Sequence, residues 1–157
     1  MSRKLKASVA QLGPIHLADT RSAVVKRLMA MMREAHGAGA RFVVFPELAL
    51  TTFFPRYWMT DQKEIDRFFE REMPGPETRP LFDLAAELGM GFYLGYAELT
   101  QEKGKPRHYN TSILIETDGR TVGRYRKIHL PGHAEHLPDA PFQLTPLTLP
   151  KEIRLGS

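Results

Sequence analysis

The fold class is decided by residues 42–47, which read Phe42-Val43-Val44-Phe45-Pro46-Glu47. Four consecutive apolar residues predict a strand that is covered on both faces, as in a parallel or mixed sheet. Pro46 ends this strand, because proline has no N–H to donate to the ladder. A carboxylate therefore follows at the carboxyl end of a strand, where open α/β sheets place their sites.

The residues before this strand predict a second strand and a helix. Polarity alternates from Lys6 to Gln11, as in a half-buried strand. Asp19 or Thr20 can cap a helix after it, and apolar residues recur there at helical spacing. These residues are Val24, Leu28, Met31, Met32 and Ala35. Strand, helix and strand form the β-α-β unit of an α/β fold.

The residues after Glu47 predict one more helix and a third strand. The helix begins near Thr78 and ends before Gly89. The strand covers residues 90–99, where Gly91 and Gly95 weaken it or mark a close approach of another backbone.

Two β-rich runs complete the predicted sheet. They cover residues 109–117 and 121–127 and are joined by Asp118-Gly119, a dipeptide typical of tight hairpin turns. The second run ends at Lys127. We expect an α/β domain with a hairpin at one side of its sheet.

Composition excludes several classes of function. The 157 residues carry 22 basic and 18 acidic side chains, but the basic ones form no stripe and no nucleic-acid motif. They contain no cysteine, which excludes disulfides, thiolate metal sites and a thiol nucleophile within them. No stretch reaches the roughly 18 apolar residues of a membrane span, so we expect a cytoplasmic protein with no nucleic-acid or membrane partner.

Glu47 and Lys127 are the candidate catalytic residues. A glutamate after a strand is by itself usually a cap or a surface acid. A run of Arg124, Arg126 and Lys127 can equally be a basic strand edge that discourages aggregation, and no glycine loop supports a phosphate site. Lysine beside a carboxylate at a sheet end could instead stabilise a developing oxyanion.

Three histidines invite a metal assignment, which the sequence does not favour. His129, His133 and His136 are close together, but Pro131-Gly132 argues against a helix that presents them on one face. There is no HExxH arrangement. We therefore expect no metal site and treat His129 as a polar pocket residue.

Three motifs in this order resemble the nitrilase superfamily, and the resemblance covers the chain from about residue 4 to about 143. They are Val44-Phe45-Pro46-Glu47-Leu48, Tyr109-Asn110-Thr111-Ser112 with Asp118-Gly119, and Tyr125-Arg126-Lys127-Ile128-His129-Leu130. Two further stretches resemble the N-carbamoyl-D-amino-acid hydrolase branch more closely. They are Leu50-Thr51-Thr52-Phe53-Phe54-Pro55-Arg56 and His129-Leu130-Pro131-Gly132-His133.

The resemblance implies an αββα sandwich, a homo-oligomer and a Glu-Lys-Cys triad that needs no cofactor. Glu47 would be the general base, Lys127 would stabilise the tetrahedral intermediate, and His129 would line the substrate pocket. The reaction would convert an N-carbamoyl-D-amino acid to the D-amino acid, ammonia and carbon dioxide. A β-ureidopropionase or an aliphatic amidase is the nearest alternative enzyme.

The chain departs from that branch after Gln143. Leu144 and Pro146 stand where the branch has a pocket histidine and an additional active-site glutamate. We therefore expect residues 1–143 to be the N-terminal part of a carbon-nitrogen hydrolase domain, incomplete at its C-terminal side, and residues 144–157 to be a divergent tail. Such a chain would be a truncated or frameshifted amidohydrolase, inactive alone, or a non-catalytic binding or assembly module; whether it is an enzyme stays open.

Overall fold

The computed structural model describes residues 4–128, which form one mixed sheet with helices beside it. The strands follow one another in chain order, with β1 to β3 parallel and β3 to β5 antiparallel. The elements are β1 (Ala7–Val9), α1 (Arg21–Gly37), β2 (Phe42–Val44), α2 (Gln62–Asp66), α3 (Arg79–Leu88), β3 (Gly91–Glu102), β4 (Lys105–Ile115) and β5 (Thr121–Arg126), with a 3-10 turn at Phe54–Arg56. The predicted α/β class is confirmed.

The predicted helices form where their caps and apolar spacing place them. The Thr20 hydroxyl accepts a hydrogen bond from the Ala23 N–H at 3.2 Å, so Thr20 caps α1. Gly89 ends α3 in the left-handed conformation, with φ of 56°. Within residues 4–128, no helix has the length and apolar character that crossing a membrane requires.

One face of the sheet, here called the covered face, packs against α1 and α3. Side chains alternate between the two faces of a strand, and the register brings alternate residues of β2, β3 and β4 together on this face. Phe92 lies at its centre, edge-to-face with Phe45 and with Phe82 of α3. The sheet residues of this core are Val43, Phe45, Phe92, Leu94, Tyr96, Ile113 and Ile115.

The opposite face, here called the open face, is covered at one end. It carries Val9, Val44, Gly95, Ala97, Leu99, Asn110, Leu114 and Tyr125, which alternate with the residues of the covered face. A second core packs on Ala97 and Leu99, formed by Leu48, Phe54, Ile65, Phe68 and Phe69. Val9 and Tyr125 stay exposed elsewhere on this face, with relative exposures of 84% and 54%.

One of the two hairpins differs from the sequence expectation. Lys103 and Gly104 join β3 to β4 with positive φ at both positions, as a type I′ turn requires. The β4–β5 connection, expected as a tight turn at Asp118-Gly119, is longer: the Glu116 N–H binds the Arg120 carbonyl oxygen at 2.8 Å and encloses residues 117–119. Gly119, at φ of 81°, supplies the left-handed residue that such a three-residue loop needs.

Candidate functional site

The backbone after β2 crosses directly over the open face of β3. The Ala49 N–H binds the Gly95 carbonyl oxygen at 2.9 Å, and Leu48 takes a left-handed φ of 49° to make this contact. A Cβ atom on Gly95 would lie only 2.8 Å from the Cα of Glu47. Of the two sequence interpretations of Gly95, a weakened strand or a close backbone approach, the structure shows the close approach, and the residue that approaches is Glu47.

Two side chains meet the Glu47 carboxylate on this face. The Lys127 ammonium donates to Oε1 at 2.8 Å, and the Asn110 amide donates to the same oxygen at 2.6 Å. Asn110 lies on β4, and the Lys127 N–H extends the ladder beyond β5 by binding the Asn110 carbonyl oxygen at 2.8 Å. The structure thus brings Glu47 and Lys127 together from elements 80 residues apart in the chain.

Sequence reasoning did not give Asn110 a part in the site. The residue stood in a quoted motif, but a polar residue within a strand can face either side of a sheet. The register pairs it with Ala97 and so places it on the open face, diagonal to Gly95. A prediction of the strand register, taken with the two glycines of β3, could have found it.

The environment of Glu47 favours the ionised carboxylate. The hydrogen bond from the Lys127 ammonium lowers the pKa of Glu47 below its ordinary value. Partial burial opposes this shift, whereas the Asn110 hydrogen bond and the charge of Lys127 add to it. The Glu47 side chain is 50% exposed and that of Lys127 is 33% exposed. Glu47 is therefore a solvent-accessible carboxylate beside a fixed cation.

An open cleft of about 840 Å³ adjoins Glu47. Its walls come from β1 and the segment after it, the end of β2, and the loop that leads to the 3-10 turn. Arg56 contributes a guanidinium, which donates to the Tyr57 hydroxyl at 2.6 Å and lies over that ring. Among residues 4–128 no carboxylate forms an ion pair with Arg56.

The remaining sequence predictions about the site concern residues beyond this region. His129, expected in the substrate pocket, lies outside the described residues, as do His133 and His136. The boundary between residues 143 and 144 lies outside them too and stays a prediction. Within residues 4–128 no group of three histidine or acidic side chains is arranged to hold a metal ion.

The family follows from a comparison with known families. The model of the carbon-nitrogen hydrolase family matches residues 6–150. This chain belongs to that family, within the nitrilase superfamily. The predicted membership is therefore confirmed, and the described residues cover part of the family fold.

Curated relatives include amidases of two kinds. The chain is 33% identical over 116 residues to an N-carbamoylputrescine amidase from Arabidopsis thaliana, across 72% of this chain and 34% of that protein. It is 24% identical over 121 residues to a formamidase from Bacillus cereus, across 74% of this chain and 34% of that protein. The chain thus spans about a third of the length of these relatives.

Solved structures share the fold. A carbon-nitrogen hydrolase from Helicobacter pylori G27 superposes with a TM-score of 0.66 at 20% identity, over 92% of this chain and 45% of that one. An amidase from Nesterenkonia sp. superposes with a TM-score of 0.63 at 16% identity, over 93% and 49%. The described sheet and its helices are accordingly part of a nitrilase-like α/β fold.

We predict that Lys127→Met raises the pKa of Glu47 toward its ordinary value, because the ammonium bond is the largest cause of its depression. A carboxyl-detected NMR titration of Glu47 measures this. Lys63→Met removes the same charge from an exposed position of α2 and should leave that pKa unchanged. A carboxyl group whose pKa is lower in the folded state than in the unfolded state stabilises the fold above its unfolded pKa. This stabilisation is lost as the pH falls through the folded pKa. Lys127→Met should therefore also weaken the dependence of stability on acid pH.

We predict that Gly95→Ala destabilises the protein by about 1–3 kcal/mol, because the new methyl group would overlap the backbone of Glu47. Chemical denaturation measures the change, and NMR should show altered Glu47 and Asn110 resonances. Gly37→Ala is the matched control, since nothing lies within 4 Å of its Cβ position. Equal stabilities of the two variants would mean that the loop does not lie on Gly95.

Proposed function

We propose that this chain supplies the base and the cation of an amidase that hydrolyses N-carbamoyl amino acids. The observation that carries the proposal is the contact of Lys127 and Asn110 with one oxygen of Glu47, in a chain of the carbon-nitrogen hydrolase family. The catalytic roles of Glu47 and Lys127 are part of the proposal.

The chemistry of the two side chains suits acyl transfer. An ionised carboxylate can take a proton from a nucleophile, and a fixed ammonium can offset the charge of a carbonyl oxygen that becomes anionic. The Lys127 ammonium has three N–H donors, of which one binds Glu47. The others can therefore reach a substrate oxygen without breaking the contact with the base.

The nucleophile of this proposal is a cysteine that these 157 residues do not contain. By the family resemblance, it is the third member of a Glu-Lys-Cys triad. No cleavage can proceed through a thiol on this chain alone, so catalysis would need a cysteine supplied by polypeptide outside these residues.

Two observations support an N-carbamoyl amino acid as the substrate class. The N-carbamoylputrescine amidases among the relatives point to a carbamoyl group. Putrescine derivatives carry an amine, whereas Arg56 offers the cleft beside Glu47 a cation that suits a carboxylate.

The D configuration rests on the resemblance of residues 50–56 to the N-carbamoyl-D-amino-acid hydrolase branch. A β-ureidopropionase, whose substrate also has a carboxylate, and an aliphatic amidase stay alternatives.

An assembly role is the second candidate, and the exposed apolar side chains of the open face favour it. Val9, Leu114 and Tyr125 expose 84%, 41% and 54% of their surface there. Under this proposal a second copy of the chain covers them as a homo-oligomer. A monomer by light scattering that also unfolds cooperatively would count against it. We also propose, from the sequence, a cytoplasmic location.

We predict no ammonia release above background when the purified chain is incubated with N-carbamoyl-D-alanine, because it lacks a thiol. A coupled ammonia assay measures this. Glu47→Gln, purified in parallel, identifies any signal that comes from a contaminating enzyme. Turnover by the natural chain that Glu47→Gln abolishes would show that the reaction does not need the cysteine.

We predict that the chain binds N-carbamoyl-D-alanine more tightly than N-carbamoylputrescine, with NMR shifts at Glu47, Asn110 and Arg56. N-carbamoyl-L-alanine, N-carbamoyl-β-alanine and propionamide test the D configuration and the two alternative enzymes. Arg56→Gln should reduce the preference for the anionic ligand, whereas Arg33→Gln, at an exposed position of α1, should not. Tighter binding of N-carbamoylputrescine would contradict the proposed substrate class.

A further inference from the structure

An ion-pair network lies on the covered side of the strands that carry the site. The Arg126 guanidinium donates to both oxygens of Glu98, from Nε and Nη2, at 2.8 Å each. Its Nη1 donates to Glu102 at 2.8 Å, and the guanidinium carbon lies 4.1 Å from the centroid of the Tyr109 ring. Arg126 therefore contacts both β3 and β4 from β5, in a fork that a lysine could not reproduce.

Glu98 is held as a buried anion by this network. Its side chain is 8% exposed, and the Thr111 hydroxyl donates to Oε2 at 2.7 Å. Burial acts against ionisation, but the Arg126 and Thr111 bonds prevail and lower the pKa of Glu98 below its ordinary value. Such a pair restrains the strands that it joins, because separation would leave the Glu98 carboxylate buried without its bidentate partner.

The network and the candidate site lie on opposite faces of the same strands. Arg126 pairs with Thr111 on the covered face. The neighbouring pair, Lys127 after Arg126 and Asn110 before Thr111, lies toward the open face. β5 is the outermost strand of the described sheet, so only β4 fixes its ladder. A slip of β5 by one residue would turn Lys127 to the covered face and away from Glu47.

We propose that Arg126 is a positioning residue for Lys127. Its bidentate ion pair with Glu98 sets the register at the end of β5 and so delivers the Lys127 ammonium to Glu47 on the other face. This inference rests on the proposed function, in which Lys127 acts beside Glu47. Arg124 is a suitable contrast, because it makes one longer bond to Glu98, of 3.3 Å, from a side chain that is 45% exposed.

The test is Arg126→Lys, which keeps the charge and removes the fork. In a carboxyl-detected NMR titration of the 157-residue chain, we expect the pKa of Glu47 to rise toward the value in Lys127→Met. We also expect the Lys127 amide, which binds the Asn110 carbonyl oxygen, to exchange with solvent on the order of tenfold faster. Charge loss cannot cause either change, because the substitution is charge-neutral.

Arg124→Lys is the matched control and should leave the Glu47 pKa and the Lys127 exchange rate unaltered. Glu98→Gln provides a second variant should Arg126→Lys fail to fold: it keeps the size of the side chain and one acceptor, and it should produce the same changes in smaller measure. The Glu47 titration and the Lys127 exchange rate could both stay unchanged in folded Arg126→Lys and Glu98→Gln while the titration shifts in Lys127→Met. That result would overturn the role of Arg126 and leave the proposed function standing. An unshifted titration in Lys127→Met would instead remove the Glu47–Lys127 contact, and with it the proposed function.

Discussion

The close contact between two backbones at Gly95 is the constraint on which the site depends. Without a side chain there, the chain that leaves β2 can lie on β3, and the Ala49 N–H bonds to the Gly95 carbonyl oxygen. The cost is a left-handed conformation at Leu48, a residue without the freedom of glycine. Burial of Leu48 in the second core offsets that strain, so packing in this core helps to hold the adjacent Glu47.

The two faces of the sheet separate the apolar core from the candidate site. The covered face carries the main apolar core and the ion pair of the buried Glu98 with the partly exposed Arg126. The open face carries the partly exposed Glu47 and Lys127. Because neighbouring residues of a strand point to opposite faces, a residue that anchors a strand on the covered face is followed by one that points to the open face. The order Arg126-Lys127 is an instance of this coupling.

The sequence predicted the elements that depend on local patterns. An apolar run, a capped helix with regular spacing and a terminal glycine were sufficient for β2, α1 and α3. It missed α2, because five residues are too few to show a helical period, and it missed the core of Phe54, Phe68 and Phe69, which assembles from separate turns. Motifs suggested Glu47 and Lys127 as candidate residues, but Asn110 required the strand register, a non-local property.

The contact between Glu47 and Lys127 has a consequence for acid–base chemistry under the proposed function. The ammonium bond is the largest cause of the lowered pKa of Glu47, so the resting carboxylate is a weaker base than an ordinary glutamate. A substrate oxygen that becomes anionic would bind the remaining N–H groups of the same ammonium. As the Lys127 charge is drawn toward that oxygen, the proton affinity of Glu47 rises, and it does so when a proton must be taken from the nucleophile. A shared cation would thus couple base strength to the progress of the reaction.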